Sequence, residues 1–115
     1  MFHTLHRSSA AIMLGIGVLH TGLTPIFYSK PSLGALWFAG TGLAAMFLAW
    51  LNVALWRAGG SDPWIRRLGR VANVGFALFM AIGLSIMPSP QAVLFLVVAL
   101  LLAGAAFANP MVRAR

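Results

Sequence analysis

The side chain best suited to chemistry in this sequence is a histidine inside an apolar stretch. His20 begins the run that ends at Pro25, and Pro25 lacks the backbone donor that would bond the carbonyl of Thr21 in a helix. All the arginines, the single lysine and the single aspartate lie outside the apolar stretches. Because an ionisable side chain is costly in hydrocarbon, one found there is a functional-site hypothesis by default.

The partners of His20 can be predicted from depth in a membrane. Counted inward from Tyr28 at about 1.5 Å per residue, His20 lies about 12 Å below the outer boundary. Thr41 and Met80 fall near the same depth on later helices, and Thr24 lies one turn from His20 on the same face. We therefore predict a ligand site formed by His20, Thr24, Thr41 and Met80. The alternative is a tight helix crossing in which His20 is structural and donates to Thr41 or to a backbone carbonyl.

Three kinds of function are open to such a site. In the one we favour, the protein is a binding or accessory protein, not an enzyme, and buries a small apolar ligand or a partner helix near His20. In the second, His20 binds haem or a quinone in a subunit of a redox complex, with Met80 or a second copy of His20 as the other axial ligand of haem. The third is a small channel or facilitator lined by the hydroxyl groups of Thr21, Thr24, Thr41 and Ser85. The identity of any cofactor or metal stays open, and one imidazole is too few for a zinc site.

Two asparagines near the other end of the apolar stretches are predicted to meet. Asn52 lies four residues before Trp56, and Asn73 lies three residues after Arg70. Both are then about 5 Å below the cytoplasmic boundary. Because a buried amide needs hydrogen-bond partners, we expect the two side chains to form an interhelical clamp. The alternative is that they orient a polar headgroup that enters from the cytoplasm.

Missing residues exclude several kinds of catalysis and transport. The chain has no cysteine, and no carboxylate lies in an apolar stretch. Paired carboxylates for acid–base catalysis and a Ser/His/Asp set are therefore absent from the spans. Small four-helix multidrug transporters resemble this chain in length and helix number, but they need a glutamate in the first helix, where this chain has none. In outline the chain also resembles small bacterial membrane proteins of the DoxX-like kind, and no motif attaches a function to this likeness.

The elements that must position these residues are membrane-spanning helices. Of the 115 residues, 61% are hydrophobic and 8% are charged, whereas charged residues make up about a quarter of an ordinary soluble domain. Four apolar stretches approach the roughly 20 residues that a spanning helix needs. They predict an all-α, integral membrane four-helix bundle in a single domain, residues 1–115, with spans at about 8–28, 33–56, 70–87 and 91–108. Small residues repeat along the second helix at Ala35, Ala39, Gly42, Ala45 and Ala49, a spacing typical of close helix packing.

Charge predicts the orientation and the partners. Seven arginines fall on one side of the predicted spans, and Lys30 alone falls on the other. By the positive-inside rule both termini are expected in the cytoplasm, with the protein in a bacterial inner membrane. Four arginines are expected to bind anionic lipid headgroups rather than nucleic acid: Arg57, Arg66, Arg67 and Arg70. The small size of the bundle further predicts a homo-oligomer or a partner membrane protein.

Overall fold

All regular structure in the described part of the chain is helical. The computed structural model describes residues 1–59 and 61–110, and it contains five helices in that part and no strand. The helices are α1 (Phe2–Gly22), α2 (Thr24–Phe27), α3 (Leu33–Ala58), α4 (Pro63–Ile86) and α5 (Pro90–Ala108). The all-α prediction is confirmed. Arg113 and Arg115, which enter the predicted charge asymmetry, lie outside the described residues.

The first helix starts earlier than the predicted span and is broken near its end. It begins at Phe2 instead of Ser8, and it ends at Gly22 instead of continuing to Tyr28. The amide of Leu23 still bonds the carbonyl of Leu19 at 2.9 Å. Pro25 has no amide hydrogen to donate to the carbonyl of Thr21, so α1 ends and the chain continues as the short helix α2. The break lies directly after the segment that carries His20.

The fourth helix also begins before the predicted span. It starts at Pro63 instead of residue 70, and Asp62 caps it by accepting from the amides of Trp64 at 2.9 Å and Ile65 at 3.3 Å. This is the start that an aspartate followed by proline predicts. The basic segment Arg66–Arg70 is therefore helical and continuous with the apolar part of α4.

Serine caps and a glycine fix the ends of α3 and α5. Ser32 accepts from the amide of Ala35 at 3.0 Å, and Ser89 accepts from the amide of Ala92 at 3.2 Å. Gly59 follows α3 with a φ of 59°, a left-handed conformation that favours glycine. The two helices therefore begin and end within two residues of the predicted spans.

The long helices pack side by side into a body of 49 × 22 × 22 Å. Helix α1 contacts α3 and α5, and α4 contacts the same two helices from the other side. The closest approach joins α1 to α3, where a Cβ at Gly17 would lie 2.8 Å from the carbonyl oxygen of Gly42. One at Gly42 would lie 2.7 Å from the carbonyl oxygen of Gly17. Glycine at both positions lets the two backbones touch, as small residues do between membrane helices.

The outer surface is apolar. Three helices in the described residues are long and apolar enough to cross a membrane: α3, α4 and α5. Helix α1 is long enough as well, but because of its polar residues its most apolar stretch is less hydrophobic than theirs. Large hydrophobic side chains point outward on all four long helices, among them Val18, Phe47, Leu78 and Leu100. Contiguous apolar surface of this extent is rare in soluble monomers and indicates a membrane protein.

Candidate functional site

An aromatic cleft lies at the end of the structure near α2, between α3, α4 and α5. It has a volume of about 830 Å³ and is partly open to the surroundings. Five aromatic side chains line it: Tyr28, Trp37, Phe38, Phe79 and Phe95. Three of the four residues predicted as a ligand site, His20, Thr41 and Met80, also line it. No arginine, lysine, aspartate or glutamate is among the lining residues.

The imidazole of His20 is held between two aromatic rings. It stacks on Phe38 with 3.7 Å between ring centroids and an angle of 22° between the planes. Phe95 meets it edge-on, at 5.0 Å and 88°. Because His20 is only partly buried and lines the cleft, its imidazole is available to a ligand.

The hydroxyl groups expected beside His20 are bonded to main-chain carbonyls instead. Thr24 donates to the carbonyl of His20 itself at 3.5 Å, and it does not line the cleft. Thr41 donates to Trp37 at 2.9 Å, Thr21 to Ala39 at 3.2 Å, and Ser85 to Ile82 at 2.7 Å. Of these four hydroxyl groups Thr41 alone lines the cleft.

Tyr28 lines the cleft next to the stacked rings of His20 and Phe38. Its ring lies 5.5 Å from that of Phe38. Gly34 makes room for it, because a Cβ there would come within 3.1 Å of the tyrosine ring. The phenolic hydroxyl forms no hydrogen bond with the residues that the structure describes, so it too can serve a ligand.

A second group of polar side chains is buried at the opposite end, where the basic residues lie. Asn52 and Asn73 form two reciprocal hydrogen bonds, in which Asn52 Nδ2 donates to Asn73 Oδ1 at 2.9 Å and Asn73 Nδ2 donates to Asn52 Oδ1 at 3.0 Å. Asn52 Nδ2 also donates to the carbonyl of Leu48 at 2.8 Å, which fixes the orientation of the amide. The two asparagines therefore join α3 to α4, as a clamp would.

His6 extends this contact to α1 and α5. Its Nε2 lies 2.7 Å from Asn52 Oδ1, and its Nδ1 lies 2.9 Å from Asn109 Nδ2. Because an amide nitrogen only donates, Nδ1 must accept, and the imidazole proton sits on Nε2 and is donated to Asn52. We call these four residues, His6, Asn52, Asn73 and Asn109, the amide–histidine cluster. All four side chains are fully buried, and together they tie four helices to one another.

The surroundings of His6 favour the neutral imidazole. Burial lowers the pKa of His6 from its ordinary value of 6.5, the hydrogen bond to Asn52 acts in the opposite direction, and nearby His3 lowers the pKa further. Trp56 packs edge-on against the ring, with 5.3 Å between centroids. The imidazole is thus enclosed by an aromatic ring and amides, with no carboxylate to pair with a charge.

The sequence interpretation did not include His6 and Asn109 in any site. A signal for His6 was present in the sequence, because it precedes Ala10, Met13 and Gly17 at helical spacing. The structure buries all four residues. Asn109 had no comparable signal. It follows the last residue of α5, where a polar residue is ordinary.

The four arginines assigned to lipid headgroups are not equivalent. Arg57 and Arg67 are exposed. Arg66 and Arg70 are partly buried. The guanidinium carbon of Arg70 lies 4.9 Å from the centre of the Phe107 ring, and its Nε is buried without a hydrogen bond. Arg70 thus packs on α5 through a cation–π contact, whereas the side chains of Arg57 and Arg67 are exposed.

Comparison with known proteins adds no assignment to this geometry. No family model, curated protein or solved structure matches the chain.

Proposed function

We propose that the protein is a small integral membrane binding protein that holds a small, uncharged, largely apolar ligand in the aromatic cleft beside His20. The volume of about 830 Å³ lies in the range of sites for small molecules. The observation that carries the proposal is the composition of the lining, in which aromatic and aliphatic groups surround a few polar atoms. An ionised ligand would lose its hydration there without a charged partner, so a neutral one is favoured.

The proposal includes the membrane arrangement. We propose that α1 with α2, α3, α4 and α5 form a four-helix bundle with both termini in the cytoplasm of a bacterium, in its inner membrane. The packing of α1 against α3 and α5 supports four spans, since α1 carries outward apolar residues such as Val18. The gathering of Arg57, Arg66 and Arg67 at the end opposite Lys30 supports the orientation. In this arrangement the cleft opens near the outer surface, and the arginines contact anionic headgroups.

Reporter fusions test the arrangement. A reporter fused after Arg115 should be active only in the cytoplasm, and one inserted next to Pro31 should be active only outside. A C-terminal reporter that reads outside would overturn the orientation, and two reporters on the same side would show that the number of spans after Pro31 is even instead of three.

Photolabelling with a small neutral probe, trifluoromethyl-phenyldiazirine, tests ligand binding. Gly83 lines the cleft, and a Cβ added at this position would meet no atom within 4 Å, so Gly83→Trp fills the cleft without a clash at the backbone. Gly75, on the same helix, has equal room but faces outward, which makes Gly75→Trp the matched control. We expect saturable labelling of peptides that contain Phe38 or Phe95, abolished in Gly83→Trp and retained in Gly75→Trp. Labelling that never saturates and follows lipid exposure, as at Phe47, would refute the site.

A further inference from the structure

We propose that the ligand of the aromatic cleft is a lipid-soluble aromatic ring that carries hydroxyl groups, a quinol or a related phenol. This inference rests on the proposed function and names the chemical class that the same site would select. It is drawn from three features of the cleft: its aromatic walls, its lack of charge and the hydrogen-bonding state of His20 and Tyr28.

The walls favour a flat ring. His20 and Phe38 are already stacked at 3.7 Å, and Phe95 presents its edge to the histidine at 5.0 Å. Aromatic rings prefer offset-stacked and edge-to-face contacts with one another, which a planar ligand can extend and an aliphatic chain cannot. Phe79 and Trp37 add two more rings to the lining. The remaining length of the cleft, toward its open side, can take an alkyl tail.

The hydrogen-bonding state of His20 favours a ligand that donates. A neutral imidazole carries a hydrogen on only one of its two nitrogens. In the neutral imidazole the other nitrogen is then an acceptor without a hydrogen. A ligand hydroxyl can donate to that nitrogen, whereas the carbonyl oxygen of a quinone would face another acceptor.

Tyr28 supplies a second polar contact at the rim. Its hydroxyl forms no hydrogen bond with the described residues, and its ring is positioned by Phe38 at 5.5 Å and by the space over Gly34. A phenol both donates and accepts, so it can pair with a hydroxyl or a carbonyl of the ligand. His20 therefore discriminates between the reduced and oxidised forms of such a ring, and Tyr28 contributes to the binding of both.

Competition against diazirine labelling tests the ligand class. The competitors are decylubiquinol, kept reduced under anaerobic conditions, decylubiquinone, and decylbenzene, which keeps the ring and the tail without oxygen. We expect decylubiquinol to compete about 3- to 10-fold better than decylubiquinone, the range that one net hydrogen bond supports. Decylbenzene should be the weakest of the three.

Two variants separate the contributions of the polar groups. His20→Phe keeps a ring on Phe38 and removes both nitrogens, so the preference for quinol over quinone should disappear. Tyr28→Phe should weaken both competitors by a similar factor and leave the preference in place. Trp50→Phe, which changes an outward-facing ring away from the cleft, is the control and should change neither value. Thermal unfolding of each variant shows whether it is folded, and Tyr28→Phe tests the class even if His20→Phe is unstable.

The outcomes distinguish this inference from the proposed function. If decylbenzene competes as well as decylubiquinol, the cleft binds ligands but the hydroxylated class is wrong. If decylubiquinone is the better competitor, His20 donates its N–H to the ligand and the preference for a ligand hydroxyl that donates is overturned. If labelling is not saturable in the first place, the proposed function itself fails.

Discussion

Acidification should destabilise the protein through His6. Both ring nitrogens are engaged, Nε2 as a donor to Asn52 Oδ1 at 2.7 Å and Nδ1 as an acceptor from Asn109 Nδ2 at 2.9 Å. A proton added to Nδ1 would point at the amide group that donates to it. The charged imidazole would also stay buried without a carboxylate. The folded state therefore resists protonation more than the unfolded state does.

The sign of the pH dependence follows from the direction of this shift. Burial sets the pKa of His6 in the folded protein below 6.5, and the positive charge that His3 gains on protonation acts in the same direction. The stabilisation by neutral His6 is then fully present above pH 6.5 and is lost as the pH falls from 6.5 toward the folded pKa. One proton taken up only on unfolding gives a limiting slope of about 1.4 kcal/mol per pH unit. Among the described groups packed on His6 from α3, α4 and α5, none is a carboxylate that would offset this loss.

Denaturation in detergent micelles at pH 7.5, 6.5 and 5.5, followed by the fluorescence of Trp56 in a background without the other tryptophans, measures this slope. The control is His6→Gln, which keeps a donor and an acceptor but does not titrate. All other ionisable groups are the same in the two proteins, so the difference between their unfolding free energies reports on His6. We expect the difference in unfolding free energy between the protein and His6→Gln to shrink by about 1 kcal/mol per pH unit below pH 6.5. Equal pH slopes in the two proteins would refute the neutral-histidine assignment.

Two further predictions concern helix packing. Asn52→Leu and Asn73→Leu should each destabilise the protein by roughly 0.5–2 kcal/mol, and the double variant should cost less than their sum because each single variant leaves an amide unpaired. Additive losses in a double-mutant cycle would show that the two amides are not coupled. Gly42→Ala should destabilise by about 1–3 kcal/mol, since its Cβ would meet the backbone of α1, whereas Gly40→Ala, which has no neighbour within 4 Å, should be near neutral. Equal unfolding free energies for the two alanine variants would contradict the close crossing of α1 and α3.

The placement of the elements could be predicted where local chemistry decides it. Asp62 followed by Pro63 marks the start of α4, because a capping side chain acts within one turn. The missing amide of Pro25 also acts locally, but the predicted span continued through it to residue 28, whereas the structure ends α1 at Gly22. The predicted spans nonetheless omitted residues 2–7 and 63–69, which are helical. Hydropathy marks only apolar residues as a span, and both segments carry polar or charged residues. A helix accommodates such residues as well as apolar ones.

The candidate sites could be predicted only in part, for a related reason. Counting residues inward from the membrane boundary predicts that His20, Thr41 and Met80 lie at the same depth, and in the structure all three line one cleft. Thr24 shares a helix face with His20 but bonds its carbonyl, because a threonine in a helix can turn its hydroxyl back onto the preceding turn. The aromatic walls were missed, since Phe38 and Phe95 look like ordinary lipid-facing residues in the sequence.

Composition and periodicity by themselves determined that the regular structure of the described residues is helical, with three helices long and apolar enough to cross a membrane. Helical periodicity and hydrophobicity depend on residues a few positions apart, so each apolar stretch shows them on its own. Depth along the helices predicts that Asn52 and Asn73 meet, whereas the contacts of His6 with Asn52 and Asn109 were decided only by the tertiary structure. His6 lies 46 residues from Asn52 and 103 from Asn109 along the chain, and the contacts form where α1 packs against α3 and α5. A hydrogen bond between distant helices depends on their rotation and separation, and neither is encoded in the spacing along any one of them.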